Sequence, residues 1–119
     1  MLVLNTEDDI DIMHYRLWAI CQEHGIDHRE LEGWLFTKNL VSLELIAKVE
    51  TDDGTEFIQT PLYKNILKQV EQHDIGLLIV DPFAETFDNC DENSNSDMKK
   101  VIIEHRKALA LLGKPACLL

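Results

Sequence analysis

The stretch 76-GLLIVDPFAETF-87 decides the fold, because it joins an apolar strand directly to an acid and a proline. Four consecutive apolar residues, 77–80, are typical of a strand that is covered on both faces of a parallel sheet. Asp81 closes that strand, and in open α/β sheets ligands bind in the crevice at the carboxyl ends of the strands. The stretch therefore predicts an α/β fold with an acid at its ligand-binding edge.

Apolar and capping patterns predict that strands and helices alternate along the chain. A strand is predicted at residues 2–4, and a helix from about residue 11 to residue 24, between the capping acids Asp8 and Asp9 and the terminating Gly25. This alternation indicates βαβ units, and hence a mainly parallel sheet with helices on both faces.

Two further helices and a last strand are predicted in the second half of the chain. Thr60 is placed to cap a helix that leads into the opening stretch, and the last helix runs from about residue 94 to residue 112, where Gly113 and Pro115 end it. The final "ACLL", residues 116–119, predicts another buried strand.

The middle of the chain, residues 31–61, has a less regular pattern. Apolar runs flank the turn sequence "TDDGT", residues 51–55, which predicts a β-hairpin or an irregular excursion. No change of composition marks a second domain, so residues 1–119 are expected to form one unit.

The composition argues against several classes of protein. The sequence has 22 acids against 11 Lys plus Arg, a formal net charge of −11, so the chain by itself is not expected to bind DNA. No apolar run approaches the roughly 20 residues of a membrane span. Three scattered cysteines indicate neither disulfides nor a zinc ribbon, which favours a cytoplasmic location.

Acidic residues follow two of the predicted strands. Glu7, Asp8 and Asp9 come after the first strand, and Asp81 ends the strand of the opening stretch. Carboxylates on adjoining strand ends can hold Mg²⁺ and orient a water molecule for attack. The alternative from the residues alone is that the first three acids cap a helix and that Asp81 opens a turn with Pro82.

Four segments together resemble a known family: "LVLNTEDD" (2–9), "YRLWAICQEHGID" (15–27), "LIVDPFAETF" (78–87) and "DENSNSDMKKVI" (91–102). They are similar to the RecA-like P-loop ATPase superfamily, specifically the RepA-like hexameric helicases and AAA-type ATPases of plasmids and phages. The resemblance covers nearly the whole chain and implies a partial RecA-like three-layer fold.

The resemblance also implies roles for the strand-end acids. Asp81 matches the Walker B aspartate, which holds the Mg²⁺ of MgATP, usually through water. Glu7 matches the glutamate that orients the attacking water, and Asp8 is a second acid at that site. The role of Asp91-Glu92-Asn93, which matches another family motif, does not follow from the residues, although Asn93 can cap the next helix.

One essential motif of that superfamily is missing. The sequence contains no G-x-x-x-x-G-K-S/T loop, whose amides, lysine and hydroxyl cradle phosphates and Mg²⁺. We therefore expect an internal fragment of an ATPase core, from after the Walker A helix to the start of the strand after Walker B. The parent would bind Mg²⁺ and ATP and do helicase or replication work on DNA, whereas this chain is expected to bind no cofactor and to be inactive.

The residues leave two other functions open. A receiver domain of a two-component system has an acid pair after its first strand and a phosphoacceptor aspartate, but the separation of Asp8 and Asp81 is too long and Lys114 precedes the last strand instead of following it. A non-catalytic interaction module that keeps the fold is the second alternative.

The remaining chemistry-bearing residues are assigned to structure. Cys21, His24 and His28 have metal-like spacing, but Gly25 interrupts it. His105 is expected to be a hydrogen-bonded core residue, and both tryptophans and the phenylalanines are expected to pack in the core. The acidic loop 88–97 is expected to be solvated and mobile.

Self-association is expected through the last strand. In the RecA-like order the strands of Glu7, Asp81 and "ACLL" are neighbours, and the Walker A strand would lie beyond "ACLL". Without it, "ACLL" is an open apolar edge that can pair with another chain. Faces left bare by the missing helix are a second route to self-association, and elements can be exchanged between chains. The parent is expected to form a ring of identical subunits.

Overall fold

The computed structural model describes residues 1–112 and the backbone of residues 116–118. Within these residues the chain forms seven strands and three α-helices. In chain order they are β1 (Leu2–Asn5), α1 (Ile10–His24), β2 (Phe36–Asn39), β3 (Ile46–Thr51), β4 (Gly54–Gln59), α2 (Pro61–Gln72), β5 (Leu77–Asp81), β6 (Phe87–Asp88), α3 (Asn95–Ala110) and β7 (Ala116–Leu118). This is an α/β fold, as the alternating patterns predict.

The main sheet has four parallel strands in the order β2-β1-β5-β7. The three predicted strands that carry Glu7, Asp81 and the "ACLL" segment are neighbours, as expected. Strand β2 was not predicted, because its sequence "FTKN" has polar residues at three of its four positions and lies at the sheet edge. An edge strand buries less side-chain surface than a central one, so its apolar pattern is weaker.

Helices cover both faces of this sheet. Leu2, Leu4, Leu78 and Val80 point to one face, where they belong to the same buried cluster as residues of α2 and α3. The opposite face carries α1, whose Leu17 and Trp18 border a groove together with Leu35 and Thr37 beside and on β2. The arrangement is consistent with a partial RecA-like three-layer fold.

A second, three-stranded sheet has the order β4-β3-β6. Strands β3 and β4 form the predicted hairpin, with Thr51 opposite Gly54 at the turn. Strand β6 joins β3 in parallel, so the segment that follows β5 is fixed to the hairpin. The middle of the chain is therefore an ordered part of the fold.

Helix ends follow the predicted capping residues with one exception. The Asp9 carboxylate accepts a hydrogen bond from the Ile10 amide, and Gly25 ends α1 with a φ of +64°. Thr60 caps α2 as expected. The N-cap of α3 is Ser94, whose hydroxyl oxygen accepts a hydrogen bond from the Asp97 amide, so a cap at Asn93 is wrong. Gly113 and Pro115 lie outside the described residues.

The expectation that the aromatic residues pack in the core is right for the phenylalanines and wrong for the tryptophans. The four phenylalanines pack against the main core cluster. Trp18 and Trp34, however, are 49% and 77% exposed, so their assignment to the core is wrong. Both tryptophans lie beside grooves at the margin of the sheet, where an amphipathic ring can rest on apolar surface and still meet water.

His105 is a buried, hydrogen-bonded core residue, as predicted. Its Nδ1 atom lies 2.9 Å from the Tyr63 hydroxyl oxygen, and its ring meets the Tyr63 ring edge-on at 5.3 Å between centroids. Burial lowers the pKa of His105 to about 4, because a charged imidazolium would lose its hydration there. Its Nε2 atom has no hydrogen-bond partner among the described residues.

Candidate functional site

The register of the main sheet brings the ends of three strands into one row. Asn5 at the end of β1 is the Cα partner of Asp81 on one side and of Asn39 on the other. Neighbouring strands are about 4.8 Å apart, so these residues form one polar edge. The acids that follow β1 and the acid that ends β5 therefore lie at the same end of adjacent strands.

Asn5 shapes the loop that carries Glu7. Its side chain is buried, and its Oδ1 atom accepts hydrogen bonds from the amides of Glu7 at 2.7 Å and Asp8 at 3.1 Å. Asparagine is suited to this position because its short side chain can bond backbone amides two and three residues ahead. The turn fixes the point at which Glu7 leaves the sheet.

The three acids after β1 have different partners. Asp8 forms an ion pair with Arg16, and its backbone oxygen accepts a hydrogen bond of 2.6 Å from Asn39 Nδ2. Asp9 caps α1. The Glu7 side chain is exposed, and its carboxylate has no ion pair or hydrogen bond with any residue in the described part of the chain. Glu7 is thus the acid of this loop whose oxygens remain available to a ligand.

Asp81 is available in the same way. It is exposed, and within residues 1–112 no side chain or amide engages its carboxylate. It is joined to Pro82 by a cis peptide bond. The segment after Pro82 is bonded to the start of β3. Thr86 is fully buried, and its backbone oxygen accepts hydrogen bonds from the amides of Leu45 at 2.8 Å and Ile46 at 2.9 Å. The Asp81 carboxylate is therefore exposed, while the backbone that carries it is followed by a firmly packed segment.

These two carboxylates fit Mg²⁺, which prefers oxygen ligands. No group of three His, Cys, Asp or Glu side chains within the described residues forms a metal site of its own. A magnesium ion at this edge would accordingly take one or two protein ligands and fill its octahedron with water or phosphate oxygens. The two acids therefore suit a magnesium ion that is also coordinated by the oxygens of a bound ligand.

The residues at this edge do not offer comparable groups for binding the phosphates of such a ligand. Arg16 lies close to these acids, but it is already paired with Asp8. The sequence has no glycine-rich loop with a lysine that would supply amides and positive charge. The site contains exposed acids, and the sequence offers no glycine-rich cradle for phosphates.

A second polar cluster orders the loop between β5 and α3. The Asp97 carboxylate accepts a hydrogen bond of 2.9 Å from Lys48 Nζ on β3 and one of 3.3 Å from the Asp91 amide. These hydrogen bonds hold the pKa of Asp97 below its ordinary value and raise the pKa of Lys48, while burial raises the pKa of Cys90 beside them. The loop is anchored at Asp97, so the expectation that residues 88–97 are simply solvated is wrong there.

Sequence reasoning found the acids but missed the residues that position them. Asn5 ends the predicted first strand, and an asparagine at the end of an apolar strand is a signal for a turn of this kind. Asn39 gave no such signal, because it ends β2, whose sequence has no apolar strand pattern. Lys48 and Asp97 gave no local signal, because their contact joins the hairpin to α3 across 49 positions. Only the fold reveals it.

Comparison with known proteins gives one match. The model of a family described as AAA domain matches residues 1–115. Searches of the curated proteins and of the solved structures returned no match. Among the described residues, no helix combines the length and the apolar character needed to cross a membrane.

Proposed function

Because the chain belongs to the AAA domain family, we propose that it supplies the acidic half of an ATP-hydrolysing site, in an ATPase of the RepA-like helicase type. In this proposal Asp81 is the Walker B aspartate and holds the Mg²⁺ of MgATP through water. Glu7 orients the water that attacks the terminal phosphate. The match supports this function over a receiver domain, whose phosphoacceptor would be the same Asp81.

One observation carries the proposal. The parallel register sets Asn5 opposite Asp81, so two exposed and unengaged carboxylates leave adjacent strands at the edge where α/β sheets bind ligands. A buried or ion-paired carboxylate would have to break its contacts before it could bind a metal. Glu7 and Asp81 have no such contacts among the described residues.

The residues divide the work of phosphoryl transfer between them. Bound magnesium would neutralise charge on the phosphate oxygens. Asp81 would position it through its water shell, and Glu7 would accept a hydrogen bond from the attacking water and so align it. Asp8 is a secondary member of the site, because its carboxylate is paired with Arg16.

The same proposal assigns the remaining requirements to residues outside this sequence. Phosphate binding needs a glycine-rich loop, which the sequence lacks. We therefore expect no ATP hydrolysis by the 119-residue chain itself, and we assign DNA work and ring assembly to the complete ATPase. Self-association of this chain through the outer edge of β7 is part of the proposal.

Manganese binding tests the metal half of the site without requiring turnover. Mn²⁺ replaces Mg²⁺ at oxygen sites and broadens the NMR signals of nearby amides. We expect substoichiometric Mn²⁺ to broaden the Glu7 and Asp81 amide signals, and Asp81→Asn to remove the effect. The matched control is Asp52→Asn, which changes an exposed acid at the hairpin turn and should leave the broadening intact.

Two results would count against the proposal. Broadening that is equal at the hairpin turn and at the sheet edge would show general attraction to an acidic surface, with no site at Asp81. Phosphate release from MgATP by the purified chain, lost in Glu7→Gln, would show that the chain binds phosphates by means other than a glycine-rich loop.

A further inference from the structure

Among the described strands, β2 forms an open edge of the main sheet, on the side away from β7. We propose that this edge is a docking site for an extended peptide segment of a partner protein, which adds to the sheet as a fifth strand. The peptide would alternate apolar and acidic residues. This inference does not depend on the proposed ATPase function.

The backbone of β2 has hydrogen-bonding groups free on its outer side. The amides of Phe36 and Leu40 donate to Met1 O and Asn5 O of the β1 segment, at 2.8 and 2.9 Å. Because the direction of the backbone groups alternates along a strand, the amides of Thr37 and Asn39 point away from β1. Neither amide has a hydrogen-bond acceptor among the described residues. A strand laid along this edge would pair with both.

Each face of β2 borders a groove that can receive side chains from an added strand. The front groove, of about 510 Å³, lies between β2 and α1, and its apolar lining includes Leu17, Trp18, Leu31 and Leu35. The back groove, of about 160 Å³, lies on the α2 side and includes Phe36, Lys38 and His73. Side chains of a strand alternate between faces, so successive residues of the peptide would enter the two grooves in turn.

The charges around the edge favour an acidic partner. The whole sequence has twice as many acids as Lys plus Arg, 22 against 11. The two grooves reverse this balance: counted in the same way, they contain Arg29 and Lys38 against a single acid, Glu32. Three histidines also line them, namely His14, His28 and His73. Arg29 is already paired with Asp27 outside the groove. Lys38, on β2 itself, has no ion pair within the described residues.

The two faces specify different residues of the peptide. The front groove is mainly apolar, so residues that point to it should be aliphatic. The back groove contains Lys38 next to His73, whose ring lies 5.2 Å from that of Phe36, so residues that point there should be acidic. Pairing through main-chain hydrogen bonds would supply affinity, and this alternation would supply specificity.

The test uses an acetylated heptapeptide in which glutamates alternate with leucine, valine and isoleucine. Binding is followed by the fluorescence of Trp18 in a Trp34→Phe background, since Trp18 lines the front groove. We expect saturable binding that weakens as salt increases and is lost when the glutamates are replaced by lysines. Equal binding of the lysine peptide would overturn the acidic assignment.

A proline substitution tests the geometry. Thr37→Pro removes an outward-facing amide without removing a bond to β1, and edge strands tolerate proline at such positions. We expect it to weaken binding at least about tenfold, which is about 1.4 kcal/mol. Val41→Pro, at a fully exposed residue just after the strand, is the matched control and should bind normally. Unchanged affinity of Thr37→Pro would overturn the proposal.

Two further measurements cover the remaining outcomes. If Thr37→Pro does not fold, amide exchange of the unmodified chain replaces it: bound peptide should slow exchange at Thr37 and Asn39, and unchanged exchange would overturn the site. Sedimentation of the chain alone tests for a second copy at this edge. Self-association that Thr37→Pro abolishes, together with no peptide binding, would overturn the assignment to a partner peptide.

Discussion

The loops after β1 and β5 leave the same edge of the sheet, but different contacts hold them. The β1 loop is fixed by polar contacts of the buried Asn5 side chain and of the exposed Asn39 and Arg16 side chains. The β5 loop is fixed by buried contacts with distant elements, at Thr86 and at Phe83, whose ring lies 6.3 Å from that of His105. Glu7 is therefore positioned by local chemistry, and Asp81 by tertiary packing.

Acidification should produce the largest difference between the two loops, because His105 packs near the β5 loop and its pKa is lowered by burial. The pKa of His105 is about 4 in the folded chain and about 6.5 in an unfolded one, so the unfolded chain binds more protons between these values. The stabilisation is complete above pH 6.5, falls as the pH decreases from about 6.5 to about 4, and then levels off. The loss is on the order of 3 kcal/mol.

Urea unfolding between pH 4 and pH 7.5 measures this effect. His105→Gln should flatten the dependence over that range, whereas His24→Gln, at the exposed end of α1, should not change it. NMR signals of the β5 loop should shift on acidification before those of the β1 loop. A pH dependence that persists in His105→Gln would assign the effect to other groups.

Asn5→Ala should act mainly on the β1 loop. It removes two hydrogen bonds to the amides of Glu7 and Asp8 at a buried position, at a cost of about 1 to 2 kcal/mol. Amide exchange should accelerate at those two residues and stay slow in the β5 loop. Asn39→Ala, which removes one bond at an exposed position, is the comparison and should have a smaller effect.

The smallest effect is expected for the ion pair on the surface. Arg16→Met removes the partner of Asp8, and exposed pairs contribute less than about 1 kcal/mol. The difference from the unmodified chain in urea unfolding should shrink further at high salt, because ions screen such pairs. A large effect that salt does not change would mean that Arg16 supports the loop by packing.

The same contrast explains what the sequence could predict. Strands β1 and β5, the three helices and the strand-end acids follow from apolar patterns and from caps such as Asp9 and Thr60, which act within a few residues. The hairpin follows from its turn residues. These local rules also account for most of the β1 loop.

Contacts between distant segments could not be predicted in this way. Strand β2 has no apolar pattern and exists because it pairs with β1. The packing of Thr86 under β3 and the Lys48–Asp97 contact depend on the hairpin lying against the β5 loop. The exposure of Trp18 and Trp34 depends on which faces remain uncovered, which composition does not reveal.

The pairing of β1 with β5 also bears on the order of events in folding. Leu2 pairs with Leu78, whereas in the hairpin Thr51 pairs with Gly54. Contacts between residues far apart in sequence require the closure of long loops and form slowly, whereas hairpins form early. We therefore expect the hairpin to form before β1 pairs with β5, so that the edge carrying Glu7 and Asp81 is completed late in folding.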